Sequence, residues 1–152
     1  MRLSTQLSKF SELSHGEQRF LLTAMAGLPL VWAGLRLFGL AAVQAWIGQA
    51  ESRPKIAARI EDVKRLGALV NLGAQHMLGP SSCLPRSLLL VWLLRRKGIE
   101  SQLRIGVRLD SGILAAHAWV EYGGIPANDR DGIQEHYSAF SSPLPLSAFA
   151  KR

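Results

Sequence analysis

Uncharged residues dominate the first third of the chain. One run of sixteen, from 20 to 35, is followed by Arg36 and then by a run of fourteen, from 37 to 50. Together the two runs are long enough for a membrane span, but an arginine at the bilayer centre costs at least ~2.5 kcal/mol. The pattern therefore favours helices that are buried or that contact a membrane over a helix that spans one.

A helix start precedes the first uncharged run. Ser14 and Glu17 have the spacing of a capping box, in which two side chains bond backbone N–H groups of the first turn. Proline removes a backbone donor and clashes with the preceding turn, so we expect Pro29 to bend or stop this helix and a second helix to follow. Residues 14–50 are therefore predicted to form two interrupted hydrophobic helices.

Two further helices are predicted after residue 50. A polar, proline-containing linker at 51–55 precedes the first, which occupies residues 56–77 and has apolar side chains every three or four positions: Ile60, Val63, Leu66, Val70 and Ala74. Gly79 and Pro80 end it. The second, from Leu84 to Arg96, is apolar nearly all round and is predicted to be a central buried helix.

The period of the apolar positions changes to two after residue 102. Residues 103–109 alternate apolar and polar side chains, and a second such run, 113–122, follows a short polar turn. A pair of glycines at 123–124 closes the second run, and a short third strand is predicted at 125–128. Helices followed by an antiparallel hairpin indicate the α+β class.

Length and composition narrow the class of protein. A chain of 152 residues, 48% of them apolar, suits one domain spanning 1–152. A net charge of +7 favours acidic partners or anionic lipid, but the basic cluster at 95–97 lacks interleaved aromatic residues, so no nucleic-acid partner is predicted. A lone cysteine forms no internal disulfide, which favours a reducing cytoplasm. The tryptophans lie in apolar runs and are expected in the core: Trp32, Trp46, Trp92 and Trp119.

The lone cysteine, Cys83, lies where a helix is predicted to begin. Ser81 or Ser82 would cap that helix, which places the thiol in its first turn. Unpaired amides and the positive end of the helix dipole favour a thiolate there and would also stabilise an oxyanion. Most free cysteines are inert core residues, so it is the position of Cys83 that makes it a candidate nucleophile.

Two downstream residues complete a candidate site. His117 lies on the second predicted strand, where we expect it to face the helix and to act as the base for the cysteine. Asp129 follows the glycine turn and would orient the imidazole, a role that Asn128 or Asp131 could take instead. The order helix cysteine, strand histidine, strand aspartate resembles that of papain-like proteases.

The stretch SSCLPRSLLLVWLLRRKGIESQLRIGVRLDSGILAAHAWVEYGGIPAND resembles the transglutaminase-like cysteine proteases of lasso-peptide biosynthesis. The shared pattern is Cys-Leu-x-Arg-Ser on a helix, a strand reading Leu-x-Ile-Gly-Val, and His-Ala-Trp-Val-Glu followed by a glycine turn and Asn-Asp. The helices before the cysteine also resemble that family. The resemblance implies N-terminal helices at 14–50 and a papain/transglutaminase-like core at 56–152, in which the cysteine-bearing helix packs on a small antiparallel sheet.

The resemblance also implies a function. Such a protease removes the leader from a ribosomally made precursor peptide, with Cys83 as nucleophile, His117 as proton carrier and Asp129 as orienting group. A separate cyclase then joins the freed N-terminus to an acidic side chain. We find no room in the chain for the leader-recognition domain that some members carry, so a separate leader-recognition protein is expected.

The remaining expectations concern cofactors, location and alternative functions. Processing depends on ATP in some members of the family, but this sequence has no glycine-rich phosphate loop, and no cofactor or metal is predicted from it. We expect a cytoplasmic protein with peripheral membrane contact. The alternatives are another acyl-transferring enzyme of the same fold, a non-catalytic binding protein with Cys83 in its core, and a membrane-associated scaffold built on residues 20–47.

Overall fold

The computed structural model describes residues 11–50, 53–79 and 83–139. In chain order its elements are α1 (His15–Gln49), α2 (Ile60–Met77), α3 (Cys83–Arg96), β1 (Gln102–Asp110), β2 (Ile113–Tyr122), β3 (Ile125–Pro126), α4 (Ile133–His136) and β4 (Ser138–Ala139). The strands form one antiparallel sheet in the order β3-β2-β1-β4. Helices followed by a small antiparallel sheet confirm the predicted α+β class.

The first helix begins as predicted but breaks at a different residue. Ser14 and Glu17 form the capping box, whereas Pro29 lies inside the helix, so the break predicted there is wrong. The break occurs at Gly39, whose φ of 79° and ψ of 174° are accessible almost only to glycine. Val43 then packs against Gly34, although nine residues of straight helix would separate them by about 13 Å. The chain therefore folds back on itself at Gly39.

The second helix starts later than its apolar pattern predicts. Of the predicted linker, residues 51 and 52 lie outside the described residues, and 53–55 are not helical. The N–H of Ile56 donates to the carbonyl of Gly98 at 2.8 Å, and the N–H of Ala58 donates to the hydroxyl of Tyr122 at 2.9 Å. The carbonyl of Ala58, which a helix from residue 56 would use internally, accepts instead from the Tyr122 hydroxyl at 3.0 Å, and α2 begins only at Ile60.

The cysteine-bearing helix α3 lies at the centre of the helical core. It packs against α1, α2 and β2, and its leucines are almost fully buried: Leu88, Leu89, Leu90 and Leu94. This confirms the prediction of a central buried helix. Burial of each such side chain contributes about 1.5–3 kcal/mol relative to leaving it exposed, so the helix is firmly anchored behind Cys83.

The hairpin forms at the predicted residues. β1 and β2 pair along their whole length, from Gln102 opposite Glu121 to Asp110 opposite Ile113. Ser111 and Gly112 both have positive φ, 51° and 83°, as the favoured two-residue hairpin turn requires. The predicted third strand is present as β3. β4 was not predicted, because two residues carry no periodicity.

Side chains cover both faces of the sheet. Ala118 and Val120 of β2 pack into the helical core. Trp119 points to the opposite face and is fully buried there, with its ring centroid 6.3 Å from that of Tyr137. Gly106 on β1 leaves room for this pair, because a Cβ at that position would lie 2.8 Å from Tyr137 Cβ. A second, smaller aromatic layer therefore lies under the segment that carries α4 and β4.

Part of α1 is apolar but exposed. Trp32 is 45% exposed and Trp46 is 70% exposed, so their predicted burial is wrong, whereas Trp119 is buried and Trp92 is half-buried. The helix is apolar on all sides, but only one side packs against the core. Large apolar side chains on the other sides are exposed: Leu22, Leu30, Leu37 and Phe38. By length and composition α1 is also long and apolar enough to cross a bilayer.

Candidate active site

Cys83 is the first residue of α3 and is partly exposed. The predicted capping residues, Ser81 and Ser82, lie outside the described residues. Pro85 is buried in the first turn, where its missing N–H removes no helical hydrogen bond. The sulfur is therefore held at a helix start, where backbone amides have no partner within the helix.

The three predicted site residues meet at one edge of β2. The Nε2 of His117 lies 2.6 Å from Oδ2 of Asp129, and the imidazole and the Cys83 thiol each shift the pKa of the other. Since Nε2 faces the carboxylate, Nδ1 is the ring nitrogen left for the sulfur. The backbone N–H of Ala118 also helps to lower the pKa of the thiol. Cys83, His117 and Asp129 thus form one line of interacting side chains.

The face of the sheet predicted for His117 is wrong. The helical core contacts Ala118 and Val120, whereas His117 lies on the opposite face and stacks on Tyr137 with ring centroids 5.1 Å apart. The imidazole meets Cys83 at the edge of β2, because α3 begins beside that edge. Alternation along the strand shows which side chains share a face, but tertiary packing decides which face the helix covers.

Of the three candidates for the orienting group, the carboxylate of Asp129 is the one that contacts His117. Asp131 is largely exposed and pairs instead with Lys64 at 2.6 Å. Asn128 is buried, and its side-chain oxygen accepts a hydrogen bond from the N–H of Val120 at 2.8 Å. The structure therefore distinguishes the orienting group among three nearby polar residues, a choice that the sequence alone left open.

Asn128 tethers the loop that carries Asp129. Its side-chain amide donates to Oγ of Ser87 at 3.0 Å, and its carbonyl accepts from the amide of Asn71 at 2.8 Å. Ser87 in turn donates to the carbonyl of Ala118 at 3.2 Å. These bonds join α2, α3 and β2 around one buried amide, and a buried polar group of this kind is costly to leave unpaired. The preceding residue thus fixes where Asp129 lies.

Hydrogen bonding shifts the pKa values of the thiol and the imidazole in opposite directions. The bond with Asp129, followed by the bond with Cys83, raises the pKa of His117 to about 9 against the effect of burial. The bond with His117 lowers the pKa of the Cys83 thiol, although burial opposes it. Burial raises the pKa of Asp129, but hydrogen bonds from His117 and the Arg130 N–H bring it below its ordinary value. These shifts favour a thiolate and an imidazolium beside an ionised carboxylate.

Arg86 is a charged neighbour of the site that was not among the predicted residues. Its Nη2 lies 3.7 Å from Oδ2 of Asp129, and both side chains are mostly buried. The positive charge helps to lower the pKa of both Asp129 and Cys83. Together with Lys64 and Arg130, Arg86 lines a cavity of about 340 Å³ beside Asp129. Its position three residues after Cys83, on the same side of α3, was the available signal.

The other histidines lie apart from this site. His15, His76 and His136 are exposed, and Nδ1 of His136 lies 3.1 Å from the carbonyl of Gly132 in its own short helix. Within residues 11–50, 53–79 and 83–139, no three histidine, cysteine or carboxylate side chains are grouped as metal ligands.

Comparison with known proteins yields one match. A model of the family described as the transglutaminase-like superfamily matches residues 24–142 of the chain. The match runs from within α1 to beyond β4 and includes Cys83, His117 and Asp129. No curated protein and no solved structure matched the chain.

Proposed function

Because the chain belongs to the transglutaminase-like superfamily, we propose that it is a cysteine peptidase that removes the leader from a lasso-peptide precursor. A separate cyclase then closes the ring on the freed N-terminus. The contact line from Cys83 through His117 to Asp129 carries the peptidase part of the proposal. The resemblance of residues 81–129 to lasso-peptide proteases carries the choice of substrate.

Acylation is the first step of the proposed mechanism. The thiolate of Cys83 attacks the scissile carbonyl carbon, and the oxygen becomes an oxyanion that the unpaired amides at the start of α3 stabilise. One such donor is typically worth about 3 kcal/mol of barrier. The imidazolium of His117 then gives its proton to the leaving nitrogen. The C–N bond breaks, and the new N-terminus leaves an acyl chain on Cys83 as a thioester.

Hydrolysis completes the cycle. Neutral His117 takes a proton from water as the water oxygen attacks the thioester carbonyl, and the C–S bond breaks to restore the thiolate and the imidazolium. Asp129 holds Nε2 and stabilises the imidazolium in both steps. The sequence has no glycine-rich phosphate loop, and no step is routed through ATP.

The proposal includes partners. By the resemblance to lasso-peptide proteases, a separate leader-recognition protein would present the precursor. The exposed apolar side chains of α1 supply a surface for peripheral contact with the cytoplasmic face of a membrane. A net charge of +7 suits anionic lipid at that face.

The test is conversion of a precursor peptide encoded beside the gene, with and without a leader-recognition protein and anionic vesicles, read by mass spectrometry. We expect free leader and free core from the wild type. Cys83→Ala and His117→Ala should each lower conversion at least about 10³-fold, because nucleophile and proton carrier act as one unit. The matched control is His76→Ala, an exposed histidine on α2, which should leave conversion unchanged.

Two results would contradict the proposal. Cleavage that persists in Cys83→Ala at the wild-type rate removes the thiol from the mechanism. A product in which an added amine replaces water at the new carboxyl group, with no hydrolysis, assigns acyl transfer to the site instead.

A further inference from the structure

The backbone groups of β2 point alternately to its two neighbours, and hydrogen bonds show which residues point away from β1. The N–H of Val120 donates to Asn128 and its carbonyl accepts from Ala127 at 2.8 Å. The carbonyl of Ala118 likewise accepts from Oγ of Ser87 at 3.2 Å. The even-numbered residues of β2 therefore direct their N–H and C=O groups outward from the hairpin.

The same alternation continues toward the hairpin turn. Leu114 and Ala116 must also point outward, because the residues between them pair with β1. β3 covers the edge only at Glu121 and Tyr122. Both Leu114 and Ala116 are exposed, and no partner for their outward backbone groups occurs among the described residues. Within residues 11–50, 53–79 and 83–139, this part of β2 is therefore an unpaired strand edge.

We infer that the substrate binds as an added strand on this unpaired edge, with its backbone paired to Leu114 and Ala116. The inference rests on the proposed function. Ala116 is the next outward-pointing residue after Ala118, whose carbonyl accepts from Ser87, one turn after Cys83 on α3. Two residues of a strand span about 6.8 Å, so an extended peptide on the edge reaches the sulfur without a turn. Main-chain pairing of this kind supplies affinity independent of the peptide's side chains.

The side chains beside the edge indicate what the peptide should carry. Leu109 and Leu114 lie directly opposite each other on β1 and β2, on one face of the hairpin. They are 74% and 67% exposed. Every second side chain of an added strand would lie beside this pair. The site therefore favours a flexible peptide segment with apolar residues at alternate positions.

Amide hydrogen exchange of Cys83→Ala, which binds without turnover, tests the inference with the precursor peptide as the probe. The amides of Leu114 and Ala116 should exchange about tenfold more slowly when the peptide is present, since each gains a hydrogen bond. Ala115 is the internal control, because its N–H already pairs with β1 and should not change. Equal exchange at Leu114 and Ala116 with and without peptide would overturn the inference.

A variant that alters the backbone of β2 tests strand addition through enzyme kinetics. Ala116→Pro removes one outward N–H and leaves the ladder to β1 intact, so it should lower kcat/KM about tenfold while Cys83 alkylation and Tm stay close to wild type. Ala115→Ser, at a residue whose backbone pairs with β1, is the control and should match the wild type. Equal kcat/KM in the two variants contradicts strand addition while leaving the peptidase proposal standing.

The outcomes separate this inference from the proposed function. If the peptide slows exchange at Leu114 and Ala116 but the wild type does not cleave it, the inference of strand addition is supported and the peptidase proposal is contradicted. Protection of these amides that needs no peptide and grows with protein concentration assigns the edge to a second copy of the chain, and overturns the inference.

Discussion

Asp129 is the residue that most strongly sets the protonation of His117. Its hydrogen bond is the largest contribution that raises the pKa of the imidazole to about 9, and the charge of Arg86 helps to keep Asp129 ionised. In the mechanism, His117 must be protonated when the amine leaves. The alkaline limb of kcat/KM therefore reports loss of that proton, as part of the coupled thiol and imidazole titration.

Replacing Asp129 by asparagine should move this alkaline limb. Asp129→Asn removes the negative charge and retains a polar side chain of similar size, so the pKa of His117 falls and the limb shifts to lower pH by about one unit or more. The measurement is kcat/KM for precursor cleavage from pH 5 to pH 10. Asp131→Asn is the control, since Asp131 pairs with Lys64. A limb that stays near pH 9 in Asp129→Asn would show that the carboxylate does not support the imidazolium.

At the residue scale, the sequence predicted a site residue where local patterns also predicted the helix or strand that carries it. Cys83 and His117 could be selected because a helix start and a strand are each readable from local patterns. The roles of Ser87 and Asn128 could not, because their bonds join residues 41 positions apart and depend on how α3 lies against β2. Arg86 offered a local signal, its position three residues after Cys83, but its contact with Asp129 depends on the same tertiary packing.

At the scale of elements, close contact between α2 and the loop before Asp129 positions the site. Gly67 faces the carbonyl of Ala127, and a Cβ there would overlap that oxygen. Asn71, one turn later on α2, donates to the carbonyl of Asn128. The loop therefore contacts α2 closely at Gly67 and is hydrogen-bonded to it through Asn71. These two contacts fix the position of Asp129 relative to His117.

Gly67→Ala should therefore damage the site from a distance. The added methyl displaces the loop, with a loss of about 1–3 kcal/mol of stability and at least tenfold lower kcat/KM. Gly16→Ala, in the first turn of α1 with nothing within 4 Å of an added Cβ, is the matched control and should be neutral or slightly stabilising. Thermal unfolding and cleavage rates of the two variants decide the matter. If Gly67→Ala behaves like Gly16→Ala, the loop is not held as described.

The first helix shows the limit of local rules for elements. Proline is the stronger helix breaker on intrinsic preference, yet the chain turns at Gly39 and continues through Pro29. Pro29 is exposed, so its ring meets solvent, whereas Val43 must reach Gly34 to complete the packing of α1. The contact between Val43 and Gly34 forms only when the chain folds back, so no local sequence pattern predicts it.

At the scale of the whole molecule, the α+β class followed from the change of apolar period alone. What did not follow was that the sheet is covered on both faces. Tyr137 and Trp119 bury the face that also carries His117, and the helices bury the other. The site consequently lies at a strand edge, where a helix start, a strand and a loop meet, and this position leaves Cys83 open to a peptide.

The central claim is that His117 makes Cys83 a thiolate under native conditions. Cys83 is the lone cysteine of the chain, so the rate of alkylation by iodoacetamide as a function of pH reports this one thiol. In the wild type, the midpoint of the rate profile should lie below the ordinary thiol value of about 8.5, and His117→Ala should return it toward that value. A midpoint near 8.5 that is the same in both proteins would contradict the account.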